Sequence, residues 1–359
     1  MKKRILLVTF SDNSDHQDAT FGMYEELKKR NEDVYLIAIR KTKVSINIDT
    51  HVKLVNCPNR PGITVKTFNI VELFRILKWI YNKCFDVIYF ESLHLWNVPI
   101  MMIKRKKTKI FHTIHDVIPH EGDKQAKMVN LMNRVVVKFS DIIILRNRKY
   151  INVMSTNYKI DKDKIKCIEL WRRFPDYKYT SRNNVFLFFG RLNVYKGVNN
   201  LIEIVNACQN IDFNIVGKLD SQIEFIANKL KQEKNVYLKT GYVTEIEMEE
   251  AFLNCDWVIL PYNSATQSGV IVDAYRFGKP VIAYNVGAIS EQIEDGKTGF
   301  LIEANNNNKF IEIIRHVTNM NEEKYMQFCR DSYEYGKKKY GVENAVNIFM
   351  KLIDNVENR

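Results

Sequence analysis

The chain has 359 residues, 46% of them hydrophobic, and a formal net charge of +12. This length exceeds what one hydrophobic core usually supports and the apolar content suffices for two, so we exclude a disordered protein and expect two domains. The charge alone does not indicate a nucleic-acid partner, because no helix-turn-helix, zinc or RNA-recognition motif accompanies it.

The first residues, MKKRILLVTF, resemble a signal peptide only superficially. The apolar stretch runs from Ile5 to Phe10, whereas an exported segment needs roughly 7 to 15 apolar residues. No other run approaches the roughly 20 apolar residues of a membrane span. The six cysteines are scattered without a C-x-x-C pair, which is typical of reduced thiols. We therefore expect a cytoplasmic protein.

Strand and helix patterns alternate along the N-terminal half. The predicted strands cover residues 4–10, 33–39, 52–57, 87–90, 109–113 and 141–145. The predicted helices cover residues 21–30, 67–84, 98–105 and 124–139. Such alternation predicts a parallel sheet with helices on both faces.

A polar loop is predicted over residues 11–18, after the first strand. Its acids Asp12, Asp15 and Asp18 are candidates for contact with a polar ligand. A solvated loop is the default interpretation.

Residues 111–121, FHTIHDVIPHE, place histidines and an acid at the end of a strand. Imidazoles near neutral pKa hydrogen-bond sugar hydroxyls or transfer protons, so His115, Asp116 and His120 are candidates for substrate contact. His112 alternates to the other side of the strand and is expected in the core. A metal site is disfavoured, since His115 and His120 do not share helical spacing and no fourth ligand is evident.

Basic residues lie beside apolar ones in two segments. Five cations fall within residues 104–109, and helix 71–85 carries Phe74, Trp79 and Tyr81 beside Arg75 and Lys78. This combination suits an anionic membrane surface. The alternative, equally weighted, is that the apolar residues are the inner face of domain helices.

A second series of alternating elements begins at residue 185, after an aperiodic join within residues 171–184. Strand 185–189 ends at Gly190, and Arg191 and Lys196 follow before Gly197 opens helix 198–208. Cations at the carboxyl end of a strand lie where open α/β sheets bind ligands. A planar guanidinium and an ammonium suit a diphosphate whose charge must be neutralised; two solvated cations are the alternative.

Residues 256–301 read as strand, polar loop, helix and strand. A helix beginning after loop 263–269 leaves the amides of Ser268, Gly269 and Val270 unpaired, and such amides bind anions. Asp273 lies one helical turn further on and is placed to accept hydrogen bonds from a ribose. The tail, residues 307–359, is helical.

Two of these motifs carry a resemblance to a known family. GRLNVYKG resembles the G-R-x-x-x-x-K-G motif of the retaining GT-B glycosyltransferases of family 4, and residues 261–301 are similar to that family's nucleotide-sugar signature. The similarity covers residues 185–305 well and the N-terminal half weakly. It implies an α/β fold of GT-B type, with two Rossmann-like doubly wound domains facing a cleft and C-terminal helices. The implied parts are an acceptor domain, a nucleotide-sugar domain and a last helix crossing back to the first domain, at residues 1–175, 176–335 and 336–359.

The resemblance also implies roles for single residues. Arg191 and Lys196 would hold the diphosphate, Asp273 the ribose, and backbone near Tyr242 and Val243 the base. His115 would meet the donor sugar, with Asp116 and His120 nearby for orientation or acceptor contact. Asp12, Asp15 and Asp18 would be candidates for contact with an acceptor sugar. The predicted donor site is completed by Gly190, Gly217, Thr266, Gln267, Ser268 and Gly269.

One position departs from the family pattern. Ala265 stands where the family commonly has a second acid, eight positions before the ribose carboxylate. Thr266, Gln267 and Ser268 offer neutral hydrogen bonds instead, so this loop is expected to decide the choice of donor.

We therefore expect transfer of a sugar from a nucleotide sugar to a saccharide or lipid-linked acceptor, with retention, in bacterial surface polysaccharide synthesis. No metal or other cofactor is expected, since two protein cations replace Mg²⁺. The alternatives are a nucleotide-sugar epimerase of the same architecture and a non-catalytic binding protein.

Overall fold

The computed structural model describes residues 2–42, 44–56, 69–115, 117, 126–220, 223–265 and 267–357. The chain divides into two compact units. Unit 1 comprises Met1–Arg173 and Val342–Arg359, and unit 2 comprises Phe174–Gly341. The predicted divisions fall at residues 175/176 and 335/336. No helix within the described residues has the length and apolar character needed to cross a membrane.

Unit 1 contains a parallel sheet with helices between its strands. Its strands are β1 Arg4–Thr9, β2 Asp33–Ile39, β3 Val52–Val55, β4 Val87–Phe90, β5 Lys109–Thr113, β6 Ile142–Leu145 and β7 Ile165–Cys167. Its helices are α1 Ser14–Lys29, α2 Ile70–Lys83, α3 Asn97–Met102, α4 Ala126–Phe139, α5 Tyr150–Tyr158 and, after unit 2, α12 Val342–Glu357.

Helix α1 begins inside the segment predicted as a loop, so the prediction of a loop over 11–18 is wrong from Ser14 onward. Asn13 caps the helix by accepting a hydrogen bond from the Asp15 amide at 2.8 Å. The carboxylates of Asp15 and Asp18 pair with Arg172 and Arg173, at 3.0 and 2.6 Å. These partners lie more than a hundred positions away in the sequence, so local polarity gave no sign of them.

Unit 2 repeats the architecture. Its strands are β8 Val185–Phe189, β9 Asp212–Gly217, β10 Val236–Thr240, β11 Trp257–Leu260, β12 Val281–Tyr284 and β13 Gly299–Ile302. Its helices are α6 Val198–Ala207, α7 Glu224–Gln232, α8 Glu245–Leu253, α9 Gly269–Arg276, α10 Asn307–Thr318 and α11 Glu322–Tyr340.

Both sheets reverse their strand order once. Over the described residues the orders are β3-β2-β1-β4-β5-β6-β7 and β10-β9-β8-β11-β12-β13, with parallel neighbours throughout. The predicted doubly wound α/β arrangement is confirmed. The order reverses between β1 and β4 and between β8 and β11, and ligands of such sheets bind outside the strand carboxyl ends at that point.

Helix α12 completes the core of unit 1, although unit 2 separates it from the rest of that unit in the sequence. Val346 and Phe349 of α12 are fully buried in one cluster with Leu7, Tyr89 and Phe111. Burying one such side chain stabilises a fold by about 1.5–3 kcal/mol. Unit 1 therefore depends on residues beyond 341.

Candidate active site

Two glycines in contact form the floor of the candidate site in unit 2. Gly190 follows β8 with φ +112°, and Gly217 ends β9 with φ +155°. A Cβ atom built on Gly217 would lie 1.7 Å from the Gly190 carbonyl oxygen. Only glycine at position 217 permits this approach, because any side chain there would overlap the Gly190 carbonyl.

Lys196 lies against this floor. A Cβ atom on Gly190 would lie 2.8 Å from the Lys196 Nζ atom, and that ammonium is 5.0 Å from the centroid of the Tyr262 ring. Burial lowers the pKa of Lys196, and the neighbouring Arg191 lowers it further. No carboxylate pairs with this lysine among the described residues. An anion at this place would therefore meet a desolvated, unneutralised cation.

Arg191 is exposed beside Lys196, next to the same glycine. The backbone around it is fixed, since the Leu192 amide donates to the Lys218 carbonyl at 2.8 Å. The structure thus brings the two predicted cations together at the carboxyl end of β8. Their guanidinium and ammonium groups supply the fork and the point charge that bind phosphate oxygens well.

The loop after β11 is tied to the loop after β8. Asn263 donates from its backbone to the Tyr195 carbonyl and from its side chain to the Val194 carbonyl, each at 2.9 Å. Asn200 donates to the Asn263 Oδ1 atom, also at 2.9 Å. A Cβ atom on Gly197 would lie 1.7 Å from the Pro261 oxygen. The two sequence motifs therefore form one site at the reversal point of the sheet.

The start of α9 presents fewer amides than predicted. Gln292 accepts from the Ser268 amide at 2.7 Å and donates to the Ser268 carbonyl at 3.0 Å. The prediction that the Ser268 amide is unpaired is therefore wrong, because a buried glutamine from another loop occupies it. Gly269 and Val270 begin the helix, and the Val270 side chain faces Gly190.

Asp273 lies one turn into α9, as predicted. The residue is only 8% exposed, and its Oδ1 atom lies 3.3 Å from the Arg276 Nη1 atom. The carboxylate is thus ion-paired with Arg276, so a ribose hydroxyl would share it with this arginine.

The loop that carries the family departure is held by a glycine. Gly287 has φ +57°, and a Cβ atom on it would lie 1.6 Å from the Ala265 carbonyl oxygen. Thr266 lies outside the described residues, and Gln267 is half-buried. Tight backbone packing at Ala265 indicates that the loop has a fixed path up to that residue.

The two residues predicted near the base follow β10, at the edge of the sheet. Tyr242 is 74% exposed and Val243 is half-buried. The Gly241 amide before them donates to the Gly217 carbonyl at 3.2 Å, which connects this turn to the glycine floor.

In unit 1, His115 lies at the carboxyl end of β5. Its Nε2 atom is 2.8 Å from the Glu91 carbonyl oxygen and 3.3 Å from the Glu91 Oε1 atom. The imidazole stacks on His16, with ring centroids 4.3 Å apart. Burial, and then His115, lower the pKa of His16 to about 3, so His16 is neutral at physiological pH.

The sequence reasoning missed a buried ion pair behind His115. Glu91 follows β4 and accepts hydrogen bonds from Arg146, which follows β6, and from the Tyr89 hydroxyl. Burial alone would raise the pKa of Glu91, but Arg146 and His115 hold it well below its ordinary value. The available signal was positional: both residues directly follow buried strands.

The remaining candidates of unit 1 are not assembled into one site by the described residues. Asp12 is half-buried at the end of β1, and Asp15 is paired with Arg172. Asp116 and His120 lie outside the described residues. His112 is fully buried beside Asn97, and burial lowers its pKa to about 4. No cluster of three or more metal-ligating side chains occurs within the described parts of the chain.

Comparison with known proteins points to one class of enzyme. Residues 171–339 match the model of the family described as glycosyl transferases group 1. An uncharacterized 41.2 kDa protein in the cps region of Klebsiella pneumoniae is 27% identical over 82% of this chain and 85% of its own length. The GDP-mannose:glycolipid 4-beta-D-mannosyltransferase of Xanthomonas campestris pv. campestris is 22% identical over 55% of this chain and 57% of its own.

The fold has solved counterparts. HepE of Anabaena, in complex with UDP-glucose, superposes with a TM-score of 0.72 at 15% identity, over 98% of this chain and 100% of that one. The predicted GT-B fold class is confirmed by this likeness and by the presence of one parallel sheet in each unit.

Proposed function

We propose that this glycosyltransferase uses a nucleoside-diphosphate sugar as its donor and retains the anomeric configuration of the transferred sugar. Its residues 171–339 belong to the glycosyl transferases group 1 family. The observation that carries the proposal is the desolvated ammonium of Lys196 against the Gly190 backbone, beside Arg191 and at the reversal point of the sheet. A diphosphate is the leaving group that this cluster of cations fits.

The chemistry follows from where charge develops. When the bond between the anomeric carbon and the diphosphate oxygen breaks, negative charge accumulates on the diphosphate. Fixed cations in a partly dry site stabilise such charge far more than water does, because they need no reorganisation. Arg191 and Lys196 together supply the charge that a metal ion would otherwise bring.

The acceptor is a saccharide or a lipid-linked saccharide, and the product a surface polysaccharide or glycoconjugate. Support comes from a relative encoded in a cps region and from another that is named for a glycolipid acceptor. We propose that the base is uracil or guanine, since one structural counterpart binds UDP-glucose and one relative uses GDP-mannose.

A thermal-shift panel tests the donor proposal. UDP, GDP and ADP, each with its sugar derivatives, are added at increasing concentration, and conversion of the sugar nucleotides is followed with and without a glycolipid acceptor. A melting shift by one nucleotide and acceptor-dependent release of its diphosphate are expected. Rapid conversion to an epimer without acceptor would show an epimerase instead, and the absence of any nucleotide-dependent shift would refute the proposal.

We further propose that unit 1 binds an anionic membrane surface through α2. Ile70, Val71 and Phe74 are 65%, 63% and 70% exposed on this helix, beside the exposed cations Arg75 and Lys78. Large apolar side chains grouped with cations suit the boundary between headgroups and acyl chains. The alternative interpretation, that the apolar residues form the inner face of the helix, applies to the opposite face of α2, where Leu73, Leu77 and Ile80 pack on the core.

A flotation assay tests this surface. Vesicles of phosphatidylcholine with and without phosphatidylglycerol are mixed with wild-type protein, with Phe74→Ser, and with Phe225→Ser as the matched control. Phe225 is 71% exposed on α7 of unit 2. Binding only to the anionic vesicles, weakened by salt and by Phe74→Ser alone, is expected. Equal binding of the two variants would refute the proposal.

A further inference from the structure

The geometry around His115 determines which of its nitrogens carries a proton. The Nε2 atom faces two acceptors of Glu91, the carbonyl oxygen at 2.8 Å and the Oε1 atom at 3.3 Å. A nitrogen between two acceptors must donate, so Nε2 is protonated. In a neutral imidazole the other nitrogen, Nδ1, is then an acceptor, and the described residues supply it with no partner.

The carboxylate behind His115 is held from several sides. Glu91 is 1% exposed and is hydrogen-bonded by Arg146 and Tyr89. Arg146 in turn stacks on Trp171 at 3.9 Å and donates to the Ile168 carbonyl at 3.2 Å. A change of rotamer at Glu91 or Arg146 would break these buried hydrogen bonds.

The ring of His115 is held as well. His16 covers one face at an interplanar angle of 21°, and its own Nδ1 atom lies 3.0 Å from the Ser11 hydroxyl. Ser11 and His16 follow β1, Glu91 follows β4, His115 follows β5 and Arg146 follows β6. Four neighbouring strands thus contribute to one cluster at the reversal point of the unit 1 sheet.

A purely structural role explains this arrangement poorly. Buried ion pairs are weak evidence for stability, because well-packed apolar residues of similar volume often stabilise a fold as much or more. A carboxylate that orients an imidazole, by contrast, is a common way to fix the tautomer of a histidine that contacts substrate.

We propose that Glu91, held by Arg146, is a positioning residue that keeps His115 protonated on Nε2, so that the Nδ1 lone pair accepts a hydrogen bond from a sugar hydroxyl. The inference rests on the proposed transferase function. To that function the inference adds an oriented acceptor, the Nδ1 atom of His115, which recognises a sugar hydroxyl. It also adds two residues, Glu91 and Arg146, that act through His115.

Two measurements test the proposal. In protein labelled with ¹⁵N-histidine, the ring signals of His115, assigned by their loss in His115→Gln, are expected to show Nε2–H and an unprotonated Nδ1. Protonation on Nδ1 would overturn the proposal, even if every variant described below failed to fold.

The second measurement is a double-mutant cycle on kcat. Glu91→Leu/Arg146→Leu removes both charges and leaves no unpaired ion. In the wild-type background we expect kcat to fall by about 10–100-fold, the range seen when a partner that orients a metal-bound histidine is removed. In a His115→Ala background we expect the same pair to change kcat by less than about twofold, because residues acting as one unit are non-additive.

Equal losses in both backgrounds would show that the pair does not act through His115. Diphosphate binding at Lys196 is measured in each variant by the nucleotide-induced melting shift, which is expected to remain unchanged. Absence of turnover with all nucleotide sugars in the wild type would count against the transferase proposal, while the tautomer measurement decides the orientation of His115 separately.

Discussion

Replacing Lys196 with Met should make the ligand-free protein more stable and the donor site weaker. Burial lowers the pKa of Lys196, so the charged form is less favourable in the folded than in the unfolded state. This destabilisation is fully present below the lowered pKa and disappears as the pH rises through it towards the ordinary pKa of a lysine. A Met side chain retains the packing on Tyr262 without the charge, and we expect a higher melting temperature.

The same substitution should remove most of the stabilisation by nucleotide. A nucleotide at 100 times its Kd adds about 2.7 kcal/mol, or about 8 °C at about 3 °C per kcal/mol for a unit of this size. Losing a hydrogen-bonded cation weakens binding by about 1.5–3 kcal/mol. The same nucleotide concentration is then roughly 0.6 to 8 times the Kd of the variant. The remaining stabilisation is about 0.3–1.3 kcal/mol, or about 1–4 °C.

Differential scanning fluorimetry with and without nucleotide measures both effects. The matched control is Lys229→Met, which removes an exposed lysine that also lies over an aromatic ring, at 4.6 Å from the centroid of Phe225. This control should change neither the ligand-free melting temperature nor the nucleotide shift. A full nucleotide shift in Lys196→Met would refute the diphosphate assignment, and a lower ligand-free melting temperature would refute the argument from burial.

Three further substitutions test other parts of the structure. Gly287→Ala should destabilise unit 2 by at least about 1–2 kcal/mol, which is the cost of a left-handed conformation for a residue with a side chain. It should also weaken nucleotide binding, measured by calorimetry, because the new methyl group meets the Ala265 oxygen. Equal affinity would contradict the packing described. Glu91→Ala should destabilise unit 1 by about 3–5 kcal/mol, since Arg146 is left buried and unpaired. Because the pKa of Glu91 is lowered, the stabilisation that its carboxylate contributes is fully present above the ordinary glutamate pKa. That stabilisation is lost as the pH falls from the ordinary pKa through the lowered one. The stabilities of wild type and variant, measured by acid denaturation, should therefore converge at low pH. Phe349→Ala should lower the melting transition of unit 1 by the equivalent of about 3–5 kcal/mol and leave the nucleotide shift of unit 2 intact, and a loss confined to unit 2 would contradict the placement of α12.

The sequence was sufficient where a signal is local. Buried parallel strands read as short apolar runs, and the structure places β2, β4, β5 and β8 on the predicted residues. The convergence of Arg191 and Lys196 followed from their position after β8, since residues that follow a strand lie at the same edge of the sheet.

The sequence was insufficient where a partner comes from far along the chain. Asn13 looked like part of a solvated loop, yet it caps a helix whose acids are paired with Arg172 and Arg173. Gln292 pairs with Ser268 from 24 positions away, and Glu91 meets Arg146 across 55 positions. Such pairings depend on strand order, which hydrophobic periodicity does not encode.

The return of α12 to unit 1 also sets an order of events during synthesis. The cluster around Phe349 lacks one wall until residues 342–357 have been made, and Phe174–Gly341 must be translated first. At about 5–20 residues per second this interval lasts on the order of 10–30 s. Unit 2 therefore has time to fold while unit 1 still lacks its last helix. During this interval unit 1 exposes an apolar face that chaperones can bind.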